Sequence, residues 1–349
     1  MTVPVRRLAA AFGVLMAAMT VAAADDCRNR GKLDARYCDE NGDLVADAPA
    51  DPAKWKDPSP LVFAFTPVED PAVYSKIFRP FTEYLTQCTG RRVVYYPVLT
   101  NKDEIDAMRA GLLHVAGISS GTTGFAVNIA GAVPFATRGT DRGPRGHHLI
   151  AIVRADSPYR TLRDLKGKRI AHTSPSSNSG NLAPRVLFAR EGLSPEQDYT
   201  PMMSGGHDRS ALGVASGEYD MAAVSSDVLE RMIARGVVKA GDFRVIYRSP
   251  LFPTTSFAYA HDLKPELARK ITACFFAFRF PPPLRKEFEG DDRFVPISYK
   301  DHWTVVRHVA EESGTPYTRA AYDAESKREL DALAKKQQQQ ARKNPAAAD

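Results

Sequence analysis

The sequence predicts two α/β lobes, each a mixed or parallel sheet covered by helices, joined by two crossings of the chain. Apolar strand segments alternate with helical segments between Leu61 and Ile118, and a second alternation runs from Arg169 to Tyr247. This order is typical of parallel sheets covered by helices, and 349 residues suit about two domains. The expected division is a signal peptide at 1–24, an extension at 25–58, lobe one at 59–150 plus 255–330, lobe two at 151–254, and a polar, disordered tail at 331–349.

The first alternation follows the order β-α-β-α-β. Gly90 and Gly111 are placed where the two helices should end, because glycine readily adopts the left-handed conformation of a helix C-terminus. The expected elements are a strand at 61–65, a helix ending near 87, a strand at 93–96, a helix at 102–111 and a strand at 114–118.

The second alternation follows a strand at 148–153, which lies close to the first crossing. Near the second crossing, Pro253 precedes a strand at 256–260 that we expect to return to lobe one. The other expected elements are strands at 169–172, 219–224 and 243–247, and helices at 182–191, 208–216, 227–235 and 263–278.

The N-terminus has the pattern of a secretory signal peptide. An apolar run from Leu8 to Val21 follows two arginines and ends in three alanines. A run of this length with these flanks is typical of a cleaved signal and too short for a membrane span. The alternative is a lipid anchor on Cys27, but two aspartates precede that cysteine where lipidation needs small or apolar residues. We therefore expect export to the periplasm.

Composition and charge disfavour several classes of function. The formal net charge is +6, but no basic stripe is interleaved with aromatic residues, so nucleic-acid binding is not expected. The eight histidines show no metal-ligand spacing, and no C-x-x-C motif is present. Asp39-x-Asn41-x-Asp43 resembles the start of a calcium loop but lacks its glycine and distal glutamate. We expect no metal and no cofactor.

The four cysteines would be exported into an oxidising compartment, where an even number favours disulfides. Cys27 and Cys38 flank a short polar loop and are the expected pair. Cys88 and Cys274 both lie in helical patterns, so either a second disulfide or two separate buried thiols fits the sequence.

Hydroxyl-rich loops follow several of the expected strands, at the end of the sheet where open α/β folds bind ligands. The loop at 173–180 contains four serines, one threonine and one asparagine and opens a helix. This loop has more polar side chains than are needed to cap the N-terminus of a helix. Hydroxyls, free amides and the positive end of the helix dipole together suit a small oxyanion without any lysine or arginine.

Two further helix starts carry polar residues. His207 follows two glycines and is either a surface residue or a ligand contact. Ser225-Ser226-Asp227 follows another strand, and Asp227 is either an N-terminal helix charge or a partner for a cationic group of the ligand.

The segment Gly117–Gly121 matches the G-x-S-x-G motif of serine hydrolases, with Ser119 as the nucleophile. The hydroxyls continue through Thr122 and Thr123, which a nucleophile elbow does not require. The loop at 173–180 lacks the motif, so a shared binding role explains both loops better. An exported serine hydrolase stays as an alternative, and we expect no enzyme.

Taken together, the order of motifs resembles the phosphate/phosphite/phosphonate-binding periplasmic proteins of ABC transporters, over about residues 60–285. The resemblance implies a two-lobed clamp of the periplasmic binding protein type II-like class that delivers a small oxyanion to an inner-membrane permease. A periplasmic sensor that partners a membrane kinase would use the same clamp, and we expect a monomer. The similar segments are FTPVEDP (65–71), EYLTQCTGRRV (83–93), IVRADSPYRTLRDLKGKRIAHTSPSSNSGNLAPRVLF (152–188), GGHDRSALGVASGEYDMAAVSSDVLERM (205–232) and SPLFPTTSFAYAHDL (249–263).

Carried over by position, this resemblance assigns the oxyanion to Ser177, Asn178 and Ser179, and the pocket wall to His207. The segment 225–227 corresponds to the place where an acidic residue receives a ligand amine. An amine-bearing ligand is expected if Asp227 or Glu69 faces the pocket, and a bare anion if neither does. The full set of expected ligand contacts is Thr66, Thr122, Thr123, Ser177, Asn178, Ser179, His207, Ser225 and Asp227.

This sequence departs from the family pattern in two places. Leu99-Thr100-Asn101 stands where a tyrosine is usual, and the loop at 119–123 is rich in serine and threonine where an aromatic residue is common. The identity of the oxyanion is therefore left open at this point.

Overall fold

The structure is a computed structural model that describes residues 27–343, apart from Pro67 and Asp70. The predicted signal peptide at 1–24 lies outside the described residues. Within them, no helix has both the length and the apolar character needed to cross a membrane.

The described chain contains twelve β-strands and twelve α-helices. The strands are β1 (Leu61–Phe65), β2 (Val93–Tyr95), β3 (Val115–Ile118), β4 (Ala132–Thr140), β5 (Gly143–Pro144), β6 (Gly146–Arg154), β7 (Ile170–His172), β8 (Pro201–Met203), β9 (Met221–Ser225), β10 (Phe243–Pro253), β11 (Ser256–Ala260) and β12 (Arg293–Pro296). The helices are α1 (Pro71–Ile77), α2 (Arg79–Thr89), α3 (Asn101–Arg109), α4 (Ser120–Ala130), α5 (Ala183–Arg190), α6 (His207–Ser216), α7 (Ser226–Ala234), α8 (Pro265–Ala277), α9 (Pro282–Glu287), α10 (Tyr299–His302), α11 (Thr304–Glu312) and α12 (Arg319–Lys343).

The first sheet has the strand order β12-β4-β11-β3-β1-β2, with β5 paired to β4. β1 runs parallel to β2 and β3, whereas β11 runs antiparallel to β3 and β4. All four residues of β3 are buried, as expected for a central strand covered on both faces. The predicted β-α-β-α-β unit is therefore present, and β11 is the returning strand.

The second sheet has the order β10-β6-β9-β7-β8. β7 is parallel to β8 and β9, and β6 is antiparallel to β9 and β10. Two mixed sheets with covering helices confirm the predicted fold class.

The chain passes between the sheets twice. It leaves the first sheet after β5 and enters β6 at Gly146, and it returns between Pro253 and Ser256. The expected lobe boundary at 150/151 lies inside β6, whose pairing with β10 already begins at Gly146. Strand-end residues of both sheets therefore face the same space between the lobes.

Both cysteine pairs form disulfides. Cys27 is bonded to Cys38, as expected, and Cys88 is bonded to Cys274, which ties α2 to α8. The extension packs on lobe one through Leu33, Tyr37 and Ala46, which are buried in the core.

In the same extension, the Asp39 carboxylate accepts hydrogen bonds from the backbone N–H groups of Asp43 and Leu44. The calcium-like motif is thus a turn in which the Asp39 side chain is hydrogen-bonded to backbone N–H groups of the same segment. At the other end of the chain, the segment expected to be a polar tail is helical as far as Lys343.

Candidate functional site

A small cavity lies between the two lobes, where the carboxyl ends of strands from both sheets meet. Its volume is about 40 Å³, roughly three times the ~10–15 Å³ that one water needs. It therefore holds a group of only a few heavy atoms. The lining residues are Phe65, Val68, Tyr74, Ser119, Ser120, Arg138, His147, Ser177, Asn178, Ser179, His207, Ser225, Asp227, Val228, Arg231, Thr254, Thr255 and Phe288.

The serine-rich loop after β7 forms one wall of this cavity and continues into a single π-helical turn, Asn178–Leu182. Ser177 precedes the turn, and its Oγ accepts a hydrogen bond from Gly180 N–H at 3.1 Å. A Cβ on Gly180 would lie 1.9 Å from Thr173 Oγ1, so only glycine allows the loop to fold this tightly.

Asn178 is the most informative residue of that wall. Its side chain is 2% exposed, and neither Nδ2 nor Oδ1 has a hydrogen-bond partner within the described part of the chain. Buried side-chain amides are nearly always paired, because burial without a partner costs the full desolvation of the group. An unpaired amide in the wall of a polar cavity is suited to a ligand.

His207 begins α6 and is held in a defined tautomer. Its Nδ1 accepts a hydrogen bond from Ser225 N–H at 3.0 Å, and its Nε2 lies 3.4 Å from Ser177 Oγ. Burial lowers the pKa of His207 to about 4, so the ring is neutral at pH 7. Because Nδ1 accepts, the single ring hydrogen lies on Nε2. His207 therefore presents an uncharged N–H donor on the cavity side and is not a base for Ser177.

Asp227 lies at the start of α7, and both of its carboxylate oxygens are hydrogen-bonded. Its Oδ1 accepts from Ser225 Oγ, and its Oδ2 accepts from Arg138 Nη2 at 2.7 Å and Arg231 Nη1 at 2.9 Å. Burial alone would raise the pKa of Asp227, but the positive charges of Arg231 and Arg138 outweigh it and hold the pKa well below its usual range. The carboxylate is ionised and already paired.

The two arginines were not expected in the site, since the serine-rich loop needs no cation. The structure corrects this expectation, because the side chains of Arg138 and Arg231 are 3% and 5% exposed and both residues line the cavity. Arg231 lies four residues after Asp227 on one helix, a spacing that the sequence displays. Arg138 lies on β4 of the first sheet, 89 residues from its partner, and carries no local signal.

Among the expected contacts, six line the cavity and three do not. The six are Ser177, Asn178, Ser179, His207, Ser225 and Asp227. The other three are Thr66, Thr122 and Thr123, whose hydroxyls are used elsewhere. Thr66 Oγ1 donates to Glu104, and Thr123 Oγ1 lies 2.8 Å from the Ser119 carbonyl oxygen and 2.9 Å from Ser256 Oγ.

Lobe one instead lines the cavity with Ser119 and Ser120 at the start of α4. Ser119 Oγ donates to Thr122 Oγ1 at 2.9 Å, and no histidine of the described chain is hydrogen-bonded to it. The nucleophile–base pair that a serine hydrolase needs is therefore not formed at Ser119.

The two lobes touch at the edge of the cavity. A Cβ on Gly121 of α4 would lie 2.2 Å from the Ser176 carbonyl oxygen and 2.5 Å from the Asn178 amide nitrogen. Thr122 Oγ1 and Ser176 Oγ are 3.3 Å apart across the same contact. The backbone of lobe two thus lies directly against the first turn of α4.

Two α/β lobes, two crossings and a small polar cavity between the lobes define a two-lobed solute-binding protein of the periplasmic type II class. A model of the family described as ABC transporter, phosphonate, periplasmic substrate-binding protein matches residues 63–303. The chain therefore belongs to this family. Its members bind solutes and are not enzymes. This confirms the prediction that the protein is not an enzyme and excludes the hydrolase alternative.

Curated relatives agree with this assignment. The chain is 26% identical over 284 residues to the phosphate-import protein PhnD of Mycolicibacterium smegmatis, covering 74% of this chain and 87% of that protein. It is 27% identical over 215 residues to the phosphonates-binding periplasmic protein of Escherichia coli, covering 60% and 63%.

Solved structures share the fold. A binding-protein component of an ABC phosphonate transporter from Pseudomonas aeruginosa gives a TM-score of 0.67 at 22% identity, covering 82% of this chain and 100% of that chain. PhnD1 of Prochlorococcus marinus, solved with methylphosphonate, gives 0.67 at 17% identity, covering 74% and 99%.

Proposed function

We propose that the chain captures a small tetrahedral oxyanion, a phosphonate, phosphite or phosphate, in the cavity between the lobes. The observation that carries the proposal is the unpaired amide of Asn178 in the cavity wall. The donor on His207 Nε2 and the hydroxyls of Ser177 and Ser179 lie on the same wall. Hydrogen-bond donors that carry no charge suit an anion that must be bound and later released.

The charged residues of the lining favour the same kind of ligand. Arg138 and Arg231 contribute two positive charges and Asp227 one negative charge. Burial is the main cause that lowers the pKa of His147 and of His207, so both rings are uncharged at pH 7. The lining therefore carries one net positive charge, in a site with little access to water, where charge is weakly screened.

Calorimetry with methylphosphonate, phosphite and phosphate tests the proposal. A buried hydrogen bond to a charged ligand contributes about 1.5–3 kcal/mol, so Asn178→Ala or Ser179→Ala should weaken binding by about one to two decades. Ser174→Ala is the matched control, because Ser174 lies in the same loop outside the lining. Absence of binding by all three anions, or tight binding of a metal ion or an uncharged sugar instead, would overturn the proposal.

The same proposal includes delivery of the anion to an inner-membrane ABC permease from a periplasmic location, which the family supports. Deletion of the gene should abolish uptake of a labelled oxyanion and leave a kinase-dependent response intact. The sensor alternative predicts the reverse pattern. Cell fractionation should recover the processed protein, without residues 1–24, in the periplasmic fraction.

A further inference from the structure

Among the described residues that line the cavity, the carboxylate of Asp227 has no free oxygen for a ligand amine. Asp227 is the acidic residue of the lining, and both of its oxygens are occupied by Ser225, Arg138 and Arg231. The next carboxylate, Glu69, is also saturated. Its Oε1 accepts from Arg231 and from Tyr74 OH, and its Oε2 accepts from Arg235 Nη1 at 2.6 Å.

The wider cluster contains two further carboxylates that pair with the same arginines. Arg138 also pairs with Asp291 at 3.2 Å, and Arg231 also pairs with Glu289 at 3.5 Å. An ammonium group entering the cavity would lie beside two guanidinium groups and would displace one of them to reach a carboxylate. Burying a cation without a partner is costly, and breaking a buried pair to provide one adds to the cost.

Part of the cavity wall is apolar. Phe65, Val68, Val228 and Phe288 line it with carbon atoms, and Tyr74 adds a ring whose hydroxyl is turned to Glu69. The cavity volume is about 40 Å³, so the site is small. A hydrogen or a methyl group on phosphorus suits these walls, and a charged chain does not.

We infer that the site selects oxyanions whose substituent is small and uncharged, and that Arg138 and Arg231 set this preference by neutralising Asp227 and Glu69. The inference rests on the proposed function and specifies its ligand class. The chain thereby departs from the expectation that an acidic residue at 225–227 receives a ligand amine. Asp227 does line the cavity, which by the condition stated above favours an amine-bearing ligand, but both of its oxygens are already hydrogen-bonded, so we infer the opposite preference.

Calorimetry of the purified protein with four ligands tests the inference. Methylphosphonate and phosphite should bind, and aminomethylphosphonate should bind at least tenfold more weakly than methylphosphonate. Ethylphosphonate has as many heavy atoms as aminomethylphosphonate but no charge on its substituent, so it should bind between the two.

The outcomes separate the inference from the proposed function. Aminomethylphosphonate binding within tenfold of methylphosphonate would overturn the inference and leave oxyanion capture intact. Equal weakness of ethylphosphonate and aminomethylphosphonate would overturn the role given to the arginines, because size alone would explain the preference. No binding by any of the four would instead contradict the proposed function.

A pair of variants tests the arginines directly. Arg231→Gln removes a cation from both Asp227 and Glu69, so the preference for methylphosphonate over aminomethylphosphonate should fall at least threefold. Arg169→Gln is the control, since Arg169 pairs with Asp220 and neither residue lines the cavity, and the preference of this variant for methylphosphonate over aminomethylphosphonate should be unchanged. An unchanged preference in a folded Arg231→Gln protein would contradict the inference. If thermal unfolding shows that this variant does not fold, the ligand series on the native protein decides.

Discussion

The cavity has two sides that differ in how their polar groups are used. On one side, the loop Ser177–Ser179 and His207 present neutral groups, and the amide of Asn178 has no partner within the described residues. On the other side, Arg138, Asp227 and Arg231 are charged and paired with one another. Unpaired neutral donors can gain energy from a ligand, whereas paired charges can gain little without first breaking a pair.

The charged side also connects the lobes. Arg138 on the first sheet pairs with Asp227 of the second lobe, and Glu69 of the first lobe pairs with Arg231 of the second. We infer that the neutral side provides affinity and the charged side provides selectivity, while the two ion pairs connect the lobes. Each prediction below changes one side and leaves the other in place.

The largest expected effect comes from Asp227→Asn, which keeps the size of the side chain and removes its charge. Arg138 and Arg231 would then lie buried with their shared carboxylate partner gone. Breaking a buried pair in this way costs about 3–5 kcal/mol. Urea unfolding should show this loss as a lower free energy of unfolding.

The matched control is Asp156→Asn, since Asp156 pairs with Arg154 in full exposure to solvent. Its free energy of unfolding should hardly change, because exposed ion pairs contribute little. A similarly small change for Asp227→Asn would show that the charged side is not a closed network of buried pairs.

The second expected effect is a loss of stability in acid that comes from buried histidines, of which His207 lies on the neutral side. Burial lowers the pKa of His207 and of His172 to about 4, from an ordinary value of 6.5. The unfolded chain therefore binds these two protons at a higher pH than the folded chain, and stability falls as the pH drops from about 6.5 toward 4. Each histidine contributes on the order of 3 kcal/mol across that window.

Thermal unfolding between pH 7.5 and 4 measures this slope. His207→Gln should make this slope shallower without abolishing it, because His172, bonded to Asn181 and Tyr199, still contributes, as do the other histidines whose pKa is lowered by burial. At pH 7.5, where His207 is neutral, His207→Gln should also weaken ligand binding, because the Nε2–H donor is lost. A slope that is unchanged in this variant would mean that His207 is not held neutral by burial.

The two sides also differ in what the sequence could predict. The serine-rich loop is contiguous and follows a strand, so its place at the end of the sheet followed from local pattern. His207 and Asp227 begin helices after strands or glycines and were predicted in the same way. Arg138 was not predicted, because its pairing with Asp227 depends on how two sheets pack across 89 residues of sequence.

Thr122 and Thr123 show a different reason for failure. The segment 119–123 was expected to be a loop from which Thr122 and Thr123 contact the ligand, but α4 begins at Ser120. Successive side chains of a helix are rotated by about 100°, so they cannot all face one cavity. Ser119 and Ser120 line the cavity, whereas Thr122 lies at the contact with Ser176 of lobe two and Thr123 is hydrogen-bonded within lobe one.

The smallest of the three effects concerns the contact between the lobes, at a residue that offers no polar group to the ligand. Gly121→Ala adds one methyl group 2.2 Å from the Ser176 carbonyl oxygen and 2.5 Å from the Asn178 amide nitrogen, where backbone must move to accommodate it. The lobes would be held apart and the donors of the two lobes would no longer meet the same anion. We expect at least a tenfold loss of affinity, about 1.4 kcal/mol. Gly241→Ala is the control, since nothing lies within 4 Å of its Cβ, and its affinity should match the native protein. Native affinity in Gly121→Ala would show that ligand binding does not require the close contact between α4 and the serine-rich loop.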